Sequence, residues 1–280
     1  MKGIDVSKHN GVVNFKQVKA AGYDFAIIRL GYGGDITSQD DYRFEVNYKN
    51  AREAGLLVGV YIYSYAKTPK MAENEADHCI RLLKGKTLDF PVYYDLEDRS
   101  IMHLDWNVQA KCFGDRMNEA GYQVGIYTFA SAMHKLNDKT TSLYPIWIAK
   151  WGANNGRESI KNPGYSMWQY TSRGIVKGVV GEVDCNVFNG KIEHKGPEKR
   201  EKKTIEQLAI ETIDGKYGTG DTREVKLGAN YKKVQTLINK CFKLAEETLA
   251  GKYGNDETRK KKLGKNYKLV QHMINKGVVK

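Results

Sequence analysis

Apolar and polar residues along the first 190 positions switch repeatedly between two periods. Short apolar runs that suit buried strands alternate with segments that suit amphipathic helices. Lys2–Val6 reads as a first strand, and Phe15–Ala21 as a short helix stopped by Gly22. Phe25–Leu30 is almost continuously apolar, which fits a strand covered on both faces. Asp40–Ala54 reads as a helix ended by Gly55, Leu57–Tyr63 as a third strand and Met71–Leu83 as a helix. Strand four lies in Phe90-Pro91-Val92-Tyr93-Tyr94-Asp95-Leu96-Glu97. A helix over Asp105–Ala120 and a fifth strand over Gln123–Tyr127 follow. Beyond them the helical signals shrink, and Ile146–Ala149, Ser166–Tyr170 and Val179–Val183 read as three more strands. Eight mostly parallel strands with about five helices predict an α/β fold, an irregular TIM-like (β/α) barrel over residues 1–190.

The pattern then breaks. Residues 191–203 are charged and polar, as expected of a solvated linker. Past it, Ile213-Asp-Gly-Lys-Tyr-Gly, Thr222-Arg223, Lys226-Leu-Gly, Asn230-Tyr-Lys and Val234-Gln235 recur about 36 residues later. The second set is Leu249-Ala-Gly-Lys-Tyr-Gly, Thr258-Arg259, Lys262-Leu-Gly, Asn266-Tyr-Lys and Val270-Gln271. Each copy reads as three short helices, in the first Ile205–Ile213, Thr222–Leu227 and Tyr231–Ile238. The expectation is a small all-α region of two repeats, 204–240 and 241–280, each marginal alone and able to lean on its twin. The copies share no enzyme-like constellation, so they read as binding modules, with Tyr217, Arg223, Tyr253 and Arg259 as candidate ligand contacts.

Charge sharpens this division. The chain of 280 residues carries a net charge of +12. From Lys191 onward there are 22 Lys and Arg against 12 Asp and Glu, leaving 23 and 21 in the first 190. The basic character therefore belongs to the repeats and points to a polyanionic partner or surface. No apolar run approaches the roughly 18 residues of a membrane span, so no membrane is expected as a partner. The tail lacks a nucleic-acid motif, and its repeated tyrosines are not an interleaved stacking platform, so no nucleic acid is expected either. Cys79, Cys112, Cys185 and Cys241 show neither metal-ligand nor Cys-x-x-Cys spacing and read as free thiols. Neither a metal nor another cofactor is implied.

The candidate chemistry sits at strand ends. Side chains alternate along a strand, so Tyr93, Asp95 and Glu97 point the same way. Paired carboxylates in that position suit glycoside hydrolysis, one as general acid and the other as nucleophile or cation stabiliser. Asp5 ends strand one and Asp184 follows strand eight, and those strands are neighbours once a barrel closes. Four acids at one rim read as a catalytic cluster. Tyr61, Tyr63 and Tyr65 share a face of strand three, and Tyr127, Trp147, Trp151 and Trp168 fall near the same rim. Aromatic faces stack on sugar rings. Tyr127, Tyr63, Tyr61, Trp168 and Arg29 are the substrate-binding candidates.

These residues resemble glycoside hydrolase family 25, the muramidases of many bacteria and phages. The likeness runs through Gly3-Ile4-Asp5-Val6-Ser7 with His9-Asn10-Gly11, Phe25-Ala-Ile-Ile-Arg-Leu-Gly-Tyr-Gly, Gly59-Val-Tyr-Ile-Tyr-Ser-Tyr and Tyr94-Asp95-Leu96-Glu97. It continues in Gly125-Ile-Tyr127-Thr, Trp168-Gln169-Tyr170 and Val183-Asp184-Cys185-Asn186. The resemblance implies cleavage of peptidoglycan between N-acetylmuramic acid and N-acetylglucosamine. It implies Glu97 as general acid and Asp95, Asp5 and Asp184 as supporting carboxylates. Asp95 either attacks directly or orients the substrate's N-acetyl oxygen. The repeats are similar to type-7 cell-wall-binding repeats, which implies three-helix units that recognise a peptidoglycan fragment. Strand pattern begins at Lys2 with no signal peptide ahead of it. Together the parts look like a phage endolysin or a bacterial autolysin; the expectation favours the endolysin, made in a host cytoplasm and released to the wall once a partner such as a holin opens the membrane. The alternatives are a sugar-binding barrel without catalysis and a basic nucleic-acid-binding protein. All four acids are present, which weighs against the first.

Overall fold

A computed structural model describes residues 1–191 and 203–279, which form two compact units, Met1–Arg200 and Glu201–Lys280. Most of the charged stretch expected to link them lies outside the described residues.

The first unit is a closed eight-stranded barrel in sequential order. The strands are β1 (Lys2–Val6), β2 (Phe25–Tyr32), β3 (Leu57–Tyr63), β4 (Val92–Asp95), β5 (Val124–Phe129), β6 (Ile146–Ala149), β7 (Met167–Gly174) and β8 (Val183–Phe188). The helices are α1 (Phe15–Ala20), α2 (Phe44–Glu53), α3 (Pro69–Leu83), α4 (Trp106–Glu119) and α5 (Asp138–Leu143). Local chemistry sets their starts. Asn14, Thr68, Asp105 and Asn137 each accept a backbone N–H of the first turn, and Pro69 opens α3 where its missing N–H costs nothing.

Strands β1 to β7 run parallel, but β8 runs antiparallel to both β7 and β1. The short 175–182 connection explains this, because a parallel return needs a crossover of a dozen or more residues. The eighth strand therefore begins at Val183, where it was expected to end. Asp184 stands at its start, and the reversal brings that start to the rim where β1 to β7 finish. A second shift is at α2, which begins at Phe44 instead of Asp40. Asp40 is drawn aside by His78 and Arg81, and Asp41 by Arg29.

Apolar packing has two layers. Phe25, Ile27, Phe90, Tyr93, Tyr127, Trp147, Met167 and Phe188 fill the barrel. Larger numbers of aliphatic residues, with Trp106 and Phe113, fill the shell between strands and helices. Glycine makes room for the inner aromatics. A Cβ on Gly3 would stand 2.2 Å from the Phe25 ring, and one on Gly125 would stand 2.6 Å from that of Tyr93. The four cysteines are unpaired.

The second unit contains α6 (Ile205–Ile213), α7 (Gly220–Leu227), α8 (Tyr231–Leu249), α9 (Asp256–Leu263) and α10 (Tyr267–Asn275). The expected third helix of the first repeat and first helix of the second are one continuous helix, α8. Its apolar face carries Val234, Cys241 and Ala245 into a core shared with Ala209 and Leu227 of one copy and Leu263, Leu269 and Met273 of the other. His272 and Lys276 also reach back to Asp214 at 3.1 and 2.9 Å. The two copies thus fold around one core, which a unit of half that size would lack. Among the described residues, no helix is long and apolar enough to cross a membrane.

Candidate active site

The acids are placed by their neighbours. Leu96 donates its N–H to the Tyr127 carbonyl at 3.0 Å and accepts from the Thr128 hydroxyl at 2.9 Å, with its side chain buried in the outer shell. Holding Leu96 outward turns Asp95 and Glu97 inward. On the next residue, Asp98 caps the turn at Arg99–Ile101 and accepts from the Tyr63 hydroxyl at 3.1 Å. Glu97 is thus held between two pinned residues. Asp5 and Asp184 are direct cross-strand partners on β1 and β8.

Asp5 is the hub of a buried polar network. Its Oδ2 accepts from Gln169 Nε2 at 3.0 Å and Asn186 Nδ2 at 2.8 Å. The amide orientations follow from donors on their other sides. Trp147 Nε1 donates to Asn186 Oδ1 at 2.8 Å, while Tyr127 and Trp151 donate to Gln169 Oε1 at 3.2 and 3.1 Å. Each amide must then turn its NH2 group to Asp5. Two donors stabilise the carboxylate form, yet burial outweighs them and pushes Asp5 up to about 6.

The other three acids are pushed up as well. Burial, then the charge of Asp5, raises Glu97 to about 7, and a Tyr127 contact opposes this. Burial, Asp5 and Glu97 raise Asp184 to about 8. Asp95 is only 3% exposed, and burial, Glu97 and Asp5 hold it well above the carboxylate range. Its Oδ1 has no hydrogen-bond partner. Arg29 opposes that rise. So many acids in one pocket cannot all ionise together, and the cluster holds protons at neutral pH. A proton donor and carboxylate acceptors side by side are what acid-assisted cleavage of a glycosidic bond requires.

The binding candidates separate. Tyr127 and Tyr63 stand at the acids, as the bonds above show. Tyr61 lies deeper, edge-on to Trp147 at 5.9 Å, and feels the charges of Asp5, Asp95 and Asp184. Arg29 points into the barrel, but its Nε is taken by Asp41 at 2.9 Å, so only part of its guanidinium is free. Trp168 belongs elsewhere. Its neighbours Met167 and Gln169 take the inward face of β7, so Trp168 packs in the outer shell and donates to the Lys150 carbonyl at 2.9 Å. The opposite parity was readable, because Gln169 is the β7 residue that reaches Asp5. Asn186 was readable in the same way, two residues after Asp184. Asp41 had no such signal, since its partners lie on β2 and in the loop after β1. Among the described residues, no group of three or more His, Cys, Asp or Glu is arranged to hold a metal ion.

In the second unit the four candidates are half-buried and used within their own copies. Tyr217 donates to Glu211 at 2.6 Å and Tyr253 to Glu247. Arg223 and Arg259 donate to the carbonyls of Gly218 and Gly254 at 3.0 and 2.9 Å.

Residues 4–179 match the family model of "Glycosyl hydrolases family 25". The chain belongs to this family. The CW_7 repeat model matches residues 206–242 and 243–278. Autolytic lysozyme of Clostridium acetobutylicum is 30% identical over 192 residues, covering 68% of this chain and 56% of its own. The present chain thus spans little more than half the length of that relative. Lysozyme M1 of Streptomyces globisporus is 31% identical, covering 68% of each chain. The catalytic domain of endolysin ply40, from bacteriophage P40 of Listeria monocytogenes, superposes with a TM-score of 0.61 at 27% identity. That match covers 69% of this chain and 94% of the other.

Proposed function

We propose that this family 25 glycosyl hydrolase is an N-acetylmuramidase that cleaves the β-1,4 bond between N-acetylmuramic acid and N-acetylglucosamine of bacterial peptidoglycan, with retention. The observation that carries this reading is Glu97, a half-buried carboxyl raised to about 7 beside the deeper Asp95. Glu97 gives its proton to the leaving glycosidic oxygen as that bond breaks. Asp95 meets the positive charge that develops on the sugar, by direct attack or by orienting the substrate's acetamido oxygen. Water then adds to the same face and Glu97 takes its proton, restoring the starting state. The charge of Asp5 helps hold the proton on Glu97, while Asp184, raised to about 8, keeps its own proton at neutral pH. The names of the lysozyme relatives support this substrate.

The helical unit is proposed to hold the enzyme on the wall. The repeat match and the excess of basic residues support that role. Tyr217, Arg223, Tyr253 and Arg259 are proposed to frame two equivalent wall-binding faces. Mass spectrometry of digested peptidoglycan tests the reaction. The expected product has N-acetylmuramic acid at its new reducing end. A reducing N-acetylglucosamine, or a cut amide bond, would refute the assignment.

A further inference from the structure

Next to the acid cluster lies a second constellation that cleavage itself does not use. Ser7 caps the turn Lys8–Asn10, and the Lys8 N–H donates to Asp41 Oδ2 at 2.9 Å. The same oxygen accepts from Arg29 Nε, so Asp41 ties the end of β1 to β2. From that anchor the Lys8 ammonium extends over Tyr32, 5.4 Å from the ring centre. Tyr32 meets Tyr65 edge-on at 6.2 Å, and Tyr65 meets Tyr63 at 5.2 Å. Tyr63 bonds to Asp98, the neighbour of Glu97. A run of three rings therefore leads from Lys8 to the general acid.

The platform is fixed from below. The Tyr65 N–H donates to Glu75 Oε1 at 2.8 Å. Glu75 is buried and is held in turn by the hydroxyls of Tyr94 and Ser64 at 2.6 and 2.8 Å. Yet Tyr65 itself remains 39% exposed. Among the described residues, no ion pair neutralises the Lys8 ammonium. Arg29 lies beneath, 9% exposed and with Nη2 unpartnered, and at Tyr65 its charge opposes those of Asp98 and Asp95 on the acid side of the rings. Asp41 balances one of these two cations and leaves the other.

We propose that Lys8, Tyr32 and Tyr65 form a subsite for a glycan unit that carries a carboxylate. This rests on the muramidase reading and adds a specificity to it. Rings take the apolar face of a sugar, and an unpaired ammonium at their edge favours an anionic substituent over a neutral one. In such a glycan the carboxylate has two sources, the lactyl ether of a stem-free muramic unit or the stem peptide.

Steady-state kinetics of the full chain on three soluble strand preparations tests this. One keeps its stem peptides, one has them removed to free the lactyl carboxylates, and one has all carboxylates converted to methylamides. Lys8→Met keeps the backbone bond to Asp41, so the fold should survive. Its KM should rise about fivefold on the strands whose carboxylate is read, the scale of one exposed charge pair. Lys8→Arg should restore it. On the neutralised strands Lys8→Met and wild type should match, while Tyr65→Ala should weaken binding to every preparation. A loss confined to one carboxylated preparation names the source. Equal KM for wild type and Lys8→Met on both carboxylated strands, or the same loss on neutralised ones, would overturn the subsite. Failure of the wild type to cut any strand would overturn the muramidase reading and the subsite with it.

Discussion

Carboxylates in the two units are treated in opposite ways. In the barrel, burial is the first cause of the upward shifts in the acid cluster, and it moves Asp5, Glu97 and Asp184 to about 6, 7 and 8. In the helical unit, lysine and tyrosine contacts dominate. Bonds from Lys203 and Tyr217 pull Glu211 down to about 2, and a bond from Lys252 lowers Glu247. The catalytic rim keeps four acids where they are uncomfortable, and the repeats keep Glu211 and Glu247 paired in water. Strain of the first kind is typical of a site that must hold and release protons. The second suits an exposed surface, and it adds little stability per pair.

The largest test of this contrast removes the proposed proton donor. Glu97→Gln should lower wall lysis at least about 100-fold while the thermal midpoint stays within a few degrees. Near-normal lysis by that folded variant would end the assigned mechanism.

The next test sits in the helical unit and concerns its shared core. Leu269 is fully buried in the second copy. Leu269→Ala should cost about 2–4 kcal/mol and unfold both copies in one transition, measured by circular dichroism on the 204–280 fragment. Two separate transitions would show that the copies fold independently.

A smaller effect, with a defined sign, concerns Asp184. Its folded value near 8 lies above the ordinary 3.8, so the native barrel holds a proton that the unfolded chain has released. This contribution to stability is complete below about pH 4 and is lost as pH rises toward 8. Asp184→Asn stays neutral at every pH. Its midpoint should therefore exceed the wild type by about 3–6 °C at pH 8 and match it at pH 4. A variant less stable than the wild type at pH 8 would contradict the burial argument.

The smallest effect is expected for Glu211. Its lowered value means that its contribution is present above about pH 4.5 and lost as pH falls through about 2. Its partners Lys203 and Lys216 are 52% and 61% exposed, so solvent screens the pairs. Glu211→Gln should destabilise the fragment by less than about 1 kcal/mol at pH 7, and salt should shrink the difference further.

Legibility in the sequence followed the range of the interactions. Local periodicity located β3 and β6 to the residue and placed Asp95 and Glu97 on one face. Closure of β8 on β1 was anticipated as the pairing of Asp5 with Asp184. The reversal of β8 was less visible, because apolar residues at Val179 and Val180 continue the strand pattern ahead of it. Fusion of two helices into α8 was hidden by the duplication, whose repeat boundary falls inside that helix. Trp168 was misread through its type, since tryptophan suits a sugar site as well as a shell. Asp41 escaped because its purpose depends on two partners from other elements.

The network around Asp5 also sets an order of events during synthesis. Asp5 is among the first residues made, yet its donors Gln169 and Asn186 are 164 and 181 positions away. At about 5–20 residues per second, tens of seconds at most separate the first partner of the pocket from the last. Through that interval the nascent chain has a β1 strand but no hydrolytic centre. In the proposed mechanism, competence arrives only when the final strand closes the ring and brings Asn186 and Asp184 beside Asp5. Ribosome-bound chains stalled before Val183 should show no hydrolysis, and chains stalled far enough beyond Phe188 for that strand to clear the exit tunnel should gain it in one step.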